Sequence, residues 1–480
     1  MATRQQSWVL RRLGEPRRLM RTRRIVLVVM LALLGLAALR DLARLGDAAP
    51  LRRLYDFQDF YCAGTALDER ADPYRYEPLH RCEHVVNTTP GYSGDPNRVV
   101  PTPVPPYDLP PFALAAHLDF GIARTLMAIA IVAAFLLAVG GLALSGVPLD
   151  VALLGLAFPA GYLLLDAGQI VPFALVALVW CGFALRRGHD ALAGVLGALS
   201  LIEPHLGVPI VAALLVAVPR SRVAVIVSGA CLFAIGEIAV GTTIFFEYVV
   251  RVLPAQASAE ASYLYQYSLT YLLSVARVPP RLALELGGLS YAATAVLGIA
   301  WGRRLAAQVH QRALLVFIPA ATILLGGSYM HMIDLAMAVP AAAVLAVSLP
   351  QRSRATAAIA LVLLSVPWIA VWITKKLFLA TLFVVAVLSA RLLGGAAAFA
   401  LFCIVGLAVY GFELLPPAGF AATTPTANPE DLAQTAWAAY VAQLQSNAWA
   451  WLAIKVPTWC ALAGLFAVAA RDEMSPPASG

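Results

Sequence analysis

Charged residues are scarce in this sequence. Asp, Glu, Lys and Arg make up 13% of its 480 residues and hydrophobic residues 61%, whereas soluble globular proteins carry about 25% charged residues. So few polar side chains do not cover the surface of a water-facing globule, and the excess apolar surface is expected to face lipid. The sequence therefore excludes a soluble protein and predicts an integral membrane protein.

Alternation of apolar and polar residues, the pattern of a membrane β-barrel, is also lacking. The apolar residues form continuous runs, as in helices that span a bilayer with about 20 residues each. We predict an all-α, polytopic membrane bundle with about 11–14 transmembrane segments and a long first extracytoplasmic loop. The apolar segments lie near 24–41, 122–146, 149–165, 170–187, 191–202, 206–218, 222–244, 284–301, 312–327, 332–349, 355–373, 377–392, 395–414 and 449–469.

The net charge of +7 comes from arginines that precede the first apolar run and recur in short gaps between later runs. This is the pattern of cytoplasmic loops, so no nucleic-acid partner is expected. The predicted organisation is a basic cytoplasmic N-terminus (1–23), a membrane domain (24–414) with extracytoplasmic loops 42–121 and 245–281, a third such loop (415–448), and a last transmembrane helix with a cytoplasmic tail (449–480). The pair Lys375–Lys376 falls outside in this register, against the rule.

The cysteines and histidines show no metal-site spacing, and no metal or cofactor is predicted. Four cysteines lie in apolar segments and are expected to be small core residues: Cys181, Cys231, Cys403 and Cys460. Cys62 and Cys82 lie in the first loop, where a disulfide and two free thiols are both open.

Two further features concern the outer loops. The prolines between Pro101 and Pro111 predict an extended strap that enters the second span. The stretch 430–448 has helical periodicity and is predicted to lie in the membrane interface with Trp437 and Tyr440.

Asp56 and Asp59 follow the first span and stand beside aromatic residues. A carboxylate at the membrane edge could act as a general base toward a hydroxyl, with a pKa raised by apolar surroundings. The alternative is structural: the two carboxylates cap a helix or pair with Arg52 and Arg53.

Three further junctions between apolar segments carry polar residues, and the register places all three on the outer side. They are Asp166–Gln169, Glu203-Pro204-His205 and Ser328–Asp334, which includes His331. Ordinary turns explain each junction singly, but ionisable groups at membrane depth are costly and mark functional sites. A helix broken by proline within the bilayer survives where it lines a cavity or packs in protein.

The order of these elements resembles the membrane glycosyltransferases of family 87, which use polyprenyl-phosphate sugars and have a GT-C type fold. The resemblance covers about residues 24 to 350. The matching residues are DFQDFYCAG at 56–64, Ala-Asp-Pro-Tyr at 71–74, Gly168-Gln169, Arg186-Arg187, Ala193-Gly194, Glu203-Pro204-His205 and His331. Glu203 stands where the family usually has Lys, which removes a cation that could meet the lipid phosphate.

The resemblance implies inverting transfer of a hexose, with mannose as the expected sugar, to a glycolipid or cell-envelope glycan at the outer face of a bacterial plasma membrane. Asp56 would be the base and Asp59 its alternative. Residues implied in binding the donor or the acceptor are Tyr61, Tyr74, Gln169, Glu203, His205 and His331. Arg52, Arg53 and Arg281 are the other cations that could take the phosphate.

Two other functions remain open. A transporter or flippase for a lipid or small solute shares many spans and broken helices, but it predicts inverted repeats, which the sequence does not show. In a non-catalytic membrane protein the polar junctions would have no common purpose.

Overall fold

The computed structural model describes residues 28–40, 43, 54–89, 95, 97–416, 425–444 and 448–471. The predicted N-terminal segment 1–23 and the candidate cations Arg52 and Arg53 lie outside the described residues. Within them the regular structure is helical, apart from two isolated β-bridges, Arg75 with Leu432 and Gln266 with His331. The all-α prediction is confirmed for this part of the chain.

The α-helices, in chain order, are α1 (Val28–Arg40), α2 (Phe57–Asp68), α3 (Tyr76–Asn87), α4 (Leu109–Ala116), α5 (Phe120–Leu144), α6 (Leu149–Leu156), α7 (Leu163–Ala167), α8 (Val171–Arg187), α9 (Asp190–Leu199), α10 (Pro204–Ala217), α11 (Arg222–Glu247), α12 (Leu253–Ala259), α13 (Leu269–Val275), α14 (Pro280–Gln308), α15 (Leu314–Thr322), α16 (Val339–Ser348), α17 (Gln351–Leu364), α18 (Trp368–Thr374), α19 (Phe378–Leu392), α20 (Gly395–Glu413), α21 (Ala433–Gln443) and α22 (Ala448–Ala470). Short 3₁₀ or π turns extend or join several of them.

Seven of the described helical stretches are long and apolar enough to cross a membrane. They are Phe120–Leu144, Leu149–Ala167, Pro219–Ala259, Pro280–Gln308, Ser353–Thr374, Gly395–Glu413 and Trp449–Ala470. Shorter apolar helices of 10–17 residues accompany them. Large apolar side chains such as Ile238, Leu289 and Leu407 are exposed on the outside of the bundle, as expected where lipid is the solvent. The finer count of crossings stays a prediction.

The first loop is more helical than predicted. Residues 42–121 contain α2, α3 and α4, and a disulfide joins Cys62 of α2 to Cys82 of α3. The strap is extended only up to Pro105, because Pro110 and Pro111 lie in the first turn of α4. Proline is tolerated there, since the N–H groups of a first turn have no intrahelical partner.

Two other predictions are refined or corrected. The loop predicted at 245–281 contains helix: after a break at Gly241 (φ +77°, ψ 161°), the chain continues through a π turn at Tyr248–Val252 into α12. Predicted as core residues, Cys231 and Cys460 are exposed on the bundle surface, whereas Cys181 is buried. An apolar run alone does not tell which face of a helix packs inward when lipid accepts the other face equally well.

Tyrosine hydroxyls fasten the strap to the bundle. Tyr74 donates to the Val104 carbonyl (2.9 Å), Tyr248 to the Pro103 carbonyl (3.0 Å) and Tyr107 to the Leu201 carbonyl (2.7 Å). These three bonds fix the backbone of the first loop over the ends of the helices.

The opposite end of the bundle is rich in arginine. Arg312 pairs with Asp190 (2.8 Å) and Arg391 with Asp150 (3.0 Å). Arg304 donates to backbone carbonyls at the end of α22. The gaps that the sequence predicts to be cytoplasmic therefore lie together at one end.

Candidate functional site

A cavity of about 900 Å³ lies where the first loop covers the helix ends. This volume is in the range of sites for small molecules, about 300–1,000 Å³. The polar side chains in its lining are Asp56, Asp59, Asp95, Arg98, Asp166, Gln169, Glu203, His205, Gln256, Glu260, Ser328, His331, Asp334 and Thr374. The aromatic lining consists of Tyr55, Phe60, Tyr162, Tyr248, Tyr263, Tyr265, Tyr291, Tyr329, Trp437 and Tyr440.

Asp56 is held by a turn between two apolar helices. Gln169 Nε2 donates to Asp56 Oδ2 at 2.5 Å, and the Asp56 N–H donates to the Ala167 carbonyl at 2.7 Å. Gly168 makes this approach possible: its φ is +80°, and a Cβ there would lie 2.7 Å from that of Leu54. The Asp56 side chain makes no capping bond to α2, so the structural alternative of helix capping is wrong for this residue.

Burial raises the pKa of Asp56 above its ordinary value, although the bond from Gln169 and the positive charges of His331 and Arg98 lower it. A base with a raised pKa takes a proton more readily near neutral pH. The residue is only half-buried and lines the cavity. Asp56 is thus both accessible and oriented.

The helix break at Glu203-Pro204-His205 faces the cavity, as predicted for a broken helix within a membrane. Glu203 has an extended backbone (φ −116°, ψ 92°) before Pro204 begins α10. His205 Nε2 lies 3.2 Å from Asp334 Oδ2, and its Nδ1 lies 3.6 Å from Glu203 Oε2. Tyr291 also donates to the His205 carbonyl at 2.7 Å. The break therefore presents a histidine between two carboxylates.

Asp334 connects the two histidines of the cavity. Its Oδ2 accepts the His331 N–H at 2.6 Å as well as contacting His205. His331 Nε2 contacts Glu260 Oε2. Burial lowers the pKa of His331, but the carboxylates of Glu260 and Asp334 outweigh burial and hold the pKa above its ordinary value. His331 is therefore biased toward its cationic form.

Glu260 is the most fully bonded carboxylate of the site. Its Oε1 accepts from Gln256 Nε2 (2.8 Å) and Trp437 Nε1 (2.9 Å), and its Oε2 accepts from Gln266 Nε2 (3.0 Å) and contacts His331. With donors on both oxygens, its orientation is fixed from three chain segments.

Asp59 lies deeper in the first loop. Its side chain is 2% exposed, and its Oδ1 has no hydrogen-bond partner among the described residues. Burial and the nearby Glu83 raise its pKa well above the ordinary value, while Arg98 lowers it. Glu83 is fully buried, and among the described residues it accepts two long hydrogen bonds, from Gln58 (3.3 Å) and the Val100 N–H (3.2 Å). Asp59 is thus less suited than Asp56 to meet a substrate.

Six of the eight predicted site residues share the cavity: Asp56, Asp59, Gln169, Glu203, His205 and His331. The other two, Tyr61 and Tyr74, do not line it. The Tyr61 hydroxyl donates to the Leu118 carbonyl at 2.9 Å, and the Tyr74 hydroxyl donates to the Val104 carbonyl of the strap. Arg281 is exposed and pairs with Glu285. We therefore withdraw Tyr61, Tyr74 and Arg281 as binding residues.

Sequence reasoning did not identify four residues that line the cavity: Arg98, Glu260, Trp437 and Tyr440. Arg98 and Glu260 belong to predicted outer loops, where nothing in the pattern distinguishes inward from outward charges. Trp437 and Tyr440 lie on α21 and are buried against the cavity, 4% and 8% exposed. The predicted position of their helix in the membrane interface stays a prediction. The usable signal was their helical spacing, which places both on one face.

Comparison with known proteins finds no match: no family model, curated protein or solved structure is similar to the chain. The resemblance to family 87 therefore stays a prediction from the motifs.

Proposed function

We propose that this protein is an inverting membrane glycosyltransferase, which moves a hexose, with mannose as the expected sugar, from a polyprenyl phosphate to a hydroxyl acceptor. One observation carries the proposal. Asp56, oriented by Gln169, shares a large cavity with two histidines that are each paired with a carboxylate. Base and phosphate-binding groups are the two elements that such a transfer requires.

Asp56 is the proposed base. It takes the proton of the acceptor hydroxyl, whose oxygen then forms a bond to the anomeric carbon of the donor sugar. The bond from that carbon to the phosphate oxygen breaks, and the lipid phosphate leaves with the electron pair. Attack opposite the leaving group inverts the configuration, so the product needs no covalent enzyme intermediate.

His331, His205 and Arg98 are the proposed partners of the leaving phosphate. The raised pKa of His331 favours the imidazolium, which can donate a charge-assisted hydrogen bond to a phosphate oxygen. Glu203 places a carboxylate at the position where the family usually has a lysine. In our proposal the paired histidines and Arg98 bind the lipid phosphate in place of that lysine.

The arginine-rich end of the bundle supports the orientation. If that end faces the cytoplasm, the cavity opens on the extracytoplasmic side of the plasma membrane, with the N-terminus inside. Thr374 lines the cavity, so Lys375 and Lys376 follow at the same outer end, as the sequence register has them. The acceptor is then a glycolipid or a cell-envelope glycan.

The test is transfer from radiolabelled polyprenyl-phosphate sugars by the purified protein, with a lipid extract as acceptor. Asp56→Asn should lower kcat by about 10²–10⁴-fold, the range of general-base catalysis. Asp59→Asn examines the alternative base. Asp68→Asn is a matched control, because Asp68 lies on α2, the helix that follows Asp56. Its Oδ1 lies 3.4 Å from Nε2 of the exposed His117. Full turnover by Asp56→Asn would refute its role.

Transport is a second candidate, favoured by the charge of the lining. Seven carboxyl groups among the described lining residues face one arginine and two histidines. Such a surplus suits a cationic or proton-coupled solute. Uptake of a labelled solute by proteoliposomes, with no covalent transfer in the assay above, would favour this function instead.

A further inference from the structure

A fully buried lysine lies within the last helix. Lys455 of α22 is 0% exposed, and no described carboxylate forms an ion pair with it. Its Nζ donates to the Gln266 carbonyl at 2.6 Å and lies 3.4 Å from the ring centroid of Tyr271. Lysine at membrane depth is costly and marks a function by default. Neither the motifs nor the proposed chemistry uses this residue.

The carbonyl that Lys455 contacts belongs to a short antiparallel bridge. Gln266 lies opposite His331, and the two hydrogen bonds of the bridge come from their neighbours: Tyr267 to Met330 (2.6 Å) and Met332 to Tyr265 (3.0 Å). In this kind of pair the groups of the central residues point away from the partner strand. The Gln266 carbonyl thus faces α22, where Lys455 supplies its donor.

The side chain of Gln266 continues the connection toward the cavity. Its Oε1 accepts the Met330 N–H at 2.7 Å, and its Nε2 donates to Glu260 Oε2 at 3.0 Å. That same Glu260 oxygen contacts His331. A continuous chain of contacts therefore runs from α22 to the cavity, through Lys455, Gln266, Glu260 and His331.

We propose that Lys455 is a positioning residue, which fixes Glu260 against His331 by holding the backbone of Gln266. The inference deepens the proposed transfer and rests on it for its catalytic meaning. Lys455 does not reach the cavity itself. Its effect is on the orientation of the histidine that receives the phosphate, and small misplacements at a reacting centre have large effects on rate.

The experiment compares Lys455→Met with Gln266→Leu and with the double variant, each in the full-length protein. Methionine fills the space of the lysine stem and removes a buried charge, so the helix is expected to form. Each single variant should lower kcat about tenfold with KM changed less than about threefold. If one residue acts through the other, the double variant loses no more than the worse single variant.

Trp459→Phe is the matched control. Trp459 lies one helical turn further on α22 and donates to the next carbonyl, that of Tyr267, at 3.2 Å. This bond lies outside the connection to Glu260, so the control should keep kcat within about twofold. Losses that multiply in the double variant, or wild-type kcat in Lys455→Met, would overturn the inference.

A second measurement needs no turnover. Modification of His331 by diethyl pyrocarbonate, followed by peptide mass spectrometry, should be several-fold faster in Lys455→Met, because a histidine released from Glu260 is less often protonated. The rate should stay unchanged in Trp459→Phe. An unchanged rate in Lys455→Met refutes the positioning role. Absence of sugar transfer by the wild type refutes the proposed function alone.

Discussion

Two walls of the cavity differ in their hydrogen bonding. The first-loop wall consists of Asp56 and Asp59, with Glu83 behind them. The Glu260 wall consists of Glu260, His331 and Asp334. In the first-loop wall, Asp59 Oδ1 and Glu83 Oε1 have no partner among the described residues, and Gln169 is the one described side chain that donates to Asp56. In the Glu260 wall, both oxygens of Glu260 have donors.

This difference in hydrogen bonding suits the two walls to different roles. A carboxylate that accepts hydrogen bonds at both oxygens is fixed in its orientation. A carboxyl group with few donors can gain or lose a proton at little structural cost. The first-loop wall is therefore suited to proton transfer, and the Glu260 wall to holding cationic histidines.

The largest effect on stability is expected from the Glu260 wall. Glu260→Leu leaves Gln256, Gln266 and Trp437 without an acceptor and His331 without its carboxylate. Removing one member of a buried charged pair costs about 3–5 kcal/mol. Thermal unfolding in detergent should show this loss, while Asp56→Asn in the other wall should unfold near the wild-type temperature. Equal unfolding temperatures of the two variants would show that the two walls do not differ in their contribution to stability.

A smaller effect, with a defined pH dependence, is expected from the first-loop wall. Burial raises the pKa of Glu83 above the ordinary value, against the weaker influence of the Val100 N–H, Arg98 and Gln58. The folded state therefore binds the proton more tightly than the unfolded chain. The resulting stability is complete below the ordinary glutamate pKa, about 4.3, and is lost progressively as the pH rises through the raised value.

Glu83→Gln keeps the shape of the side chain but cannot ionise. Its unfolding temperature should fall less than that of the wild type between pH 5 and pH 9, the scale being about 1.4 kcal/mol per unit of pKa shift. Glu77→Gln on the same helix, where the side chain is exposed, is the control. Parallel pH curves for wild type and Glu83→Gln would show that Glu83 is not protonated in the folded protein.

Much of the fold followed from apolar patterning, because each predicted apolar segment overlaps a described helix. The turn at Gly168 and the break at Pro204 also followed, since those residues restrict the local backbone. Which loop residues turn inward did not follow. Glu260 reaches the cavity because distant segments dock on one another, and no local sequence pattern indicates that docking. For Trp437 the helical spacing indicates a shared face with Tyr440, but not the segments against which that face packs.

The smallest effect is expected at Tyr61, which the motif predicts as a binding residue and the structure places outside the cavity. Tyr61→Phe removes one half-exposed hydrogen bond, to the Leu118 carbonyl, at a cost of about 1 kcal/mol. Transfer should keep its wild-type kcat and KM, whereas Tyr263→Phe changes a hydroxyl in the lining itself. A rise in KM for Tyr61→Phe would return the residue to the site. It would also mean that the substrate reaches α2 beyond the cavity, so that the first-loop wall binds as well as transfers protons.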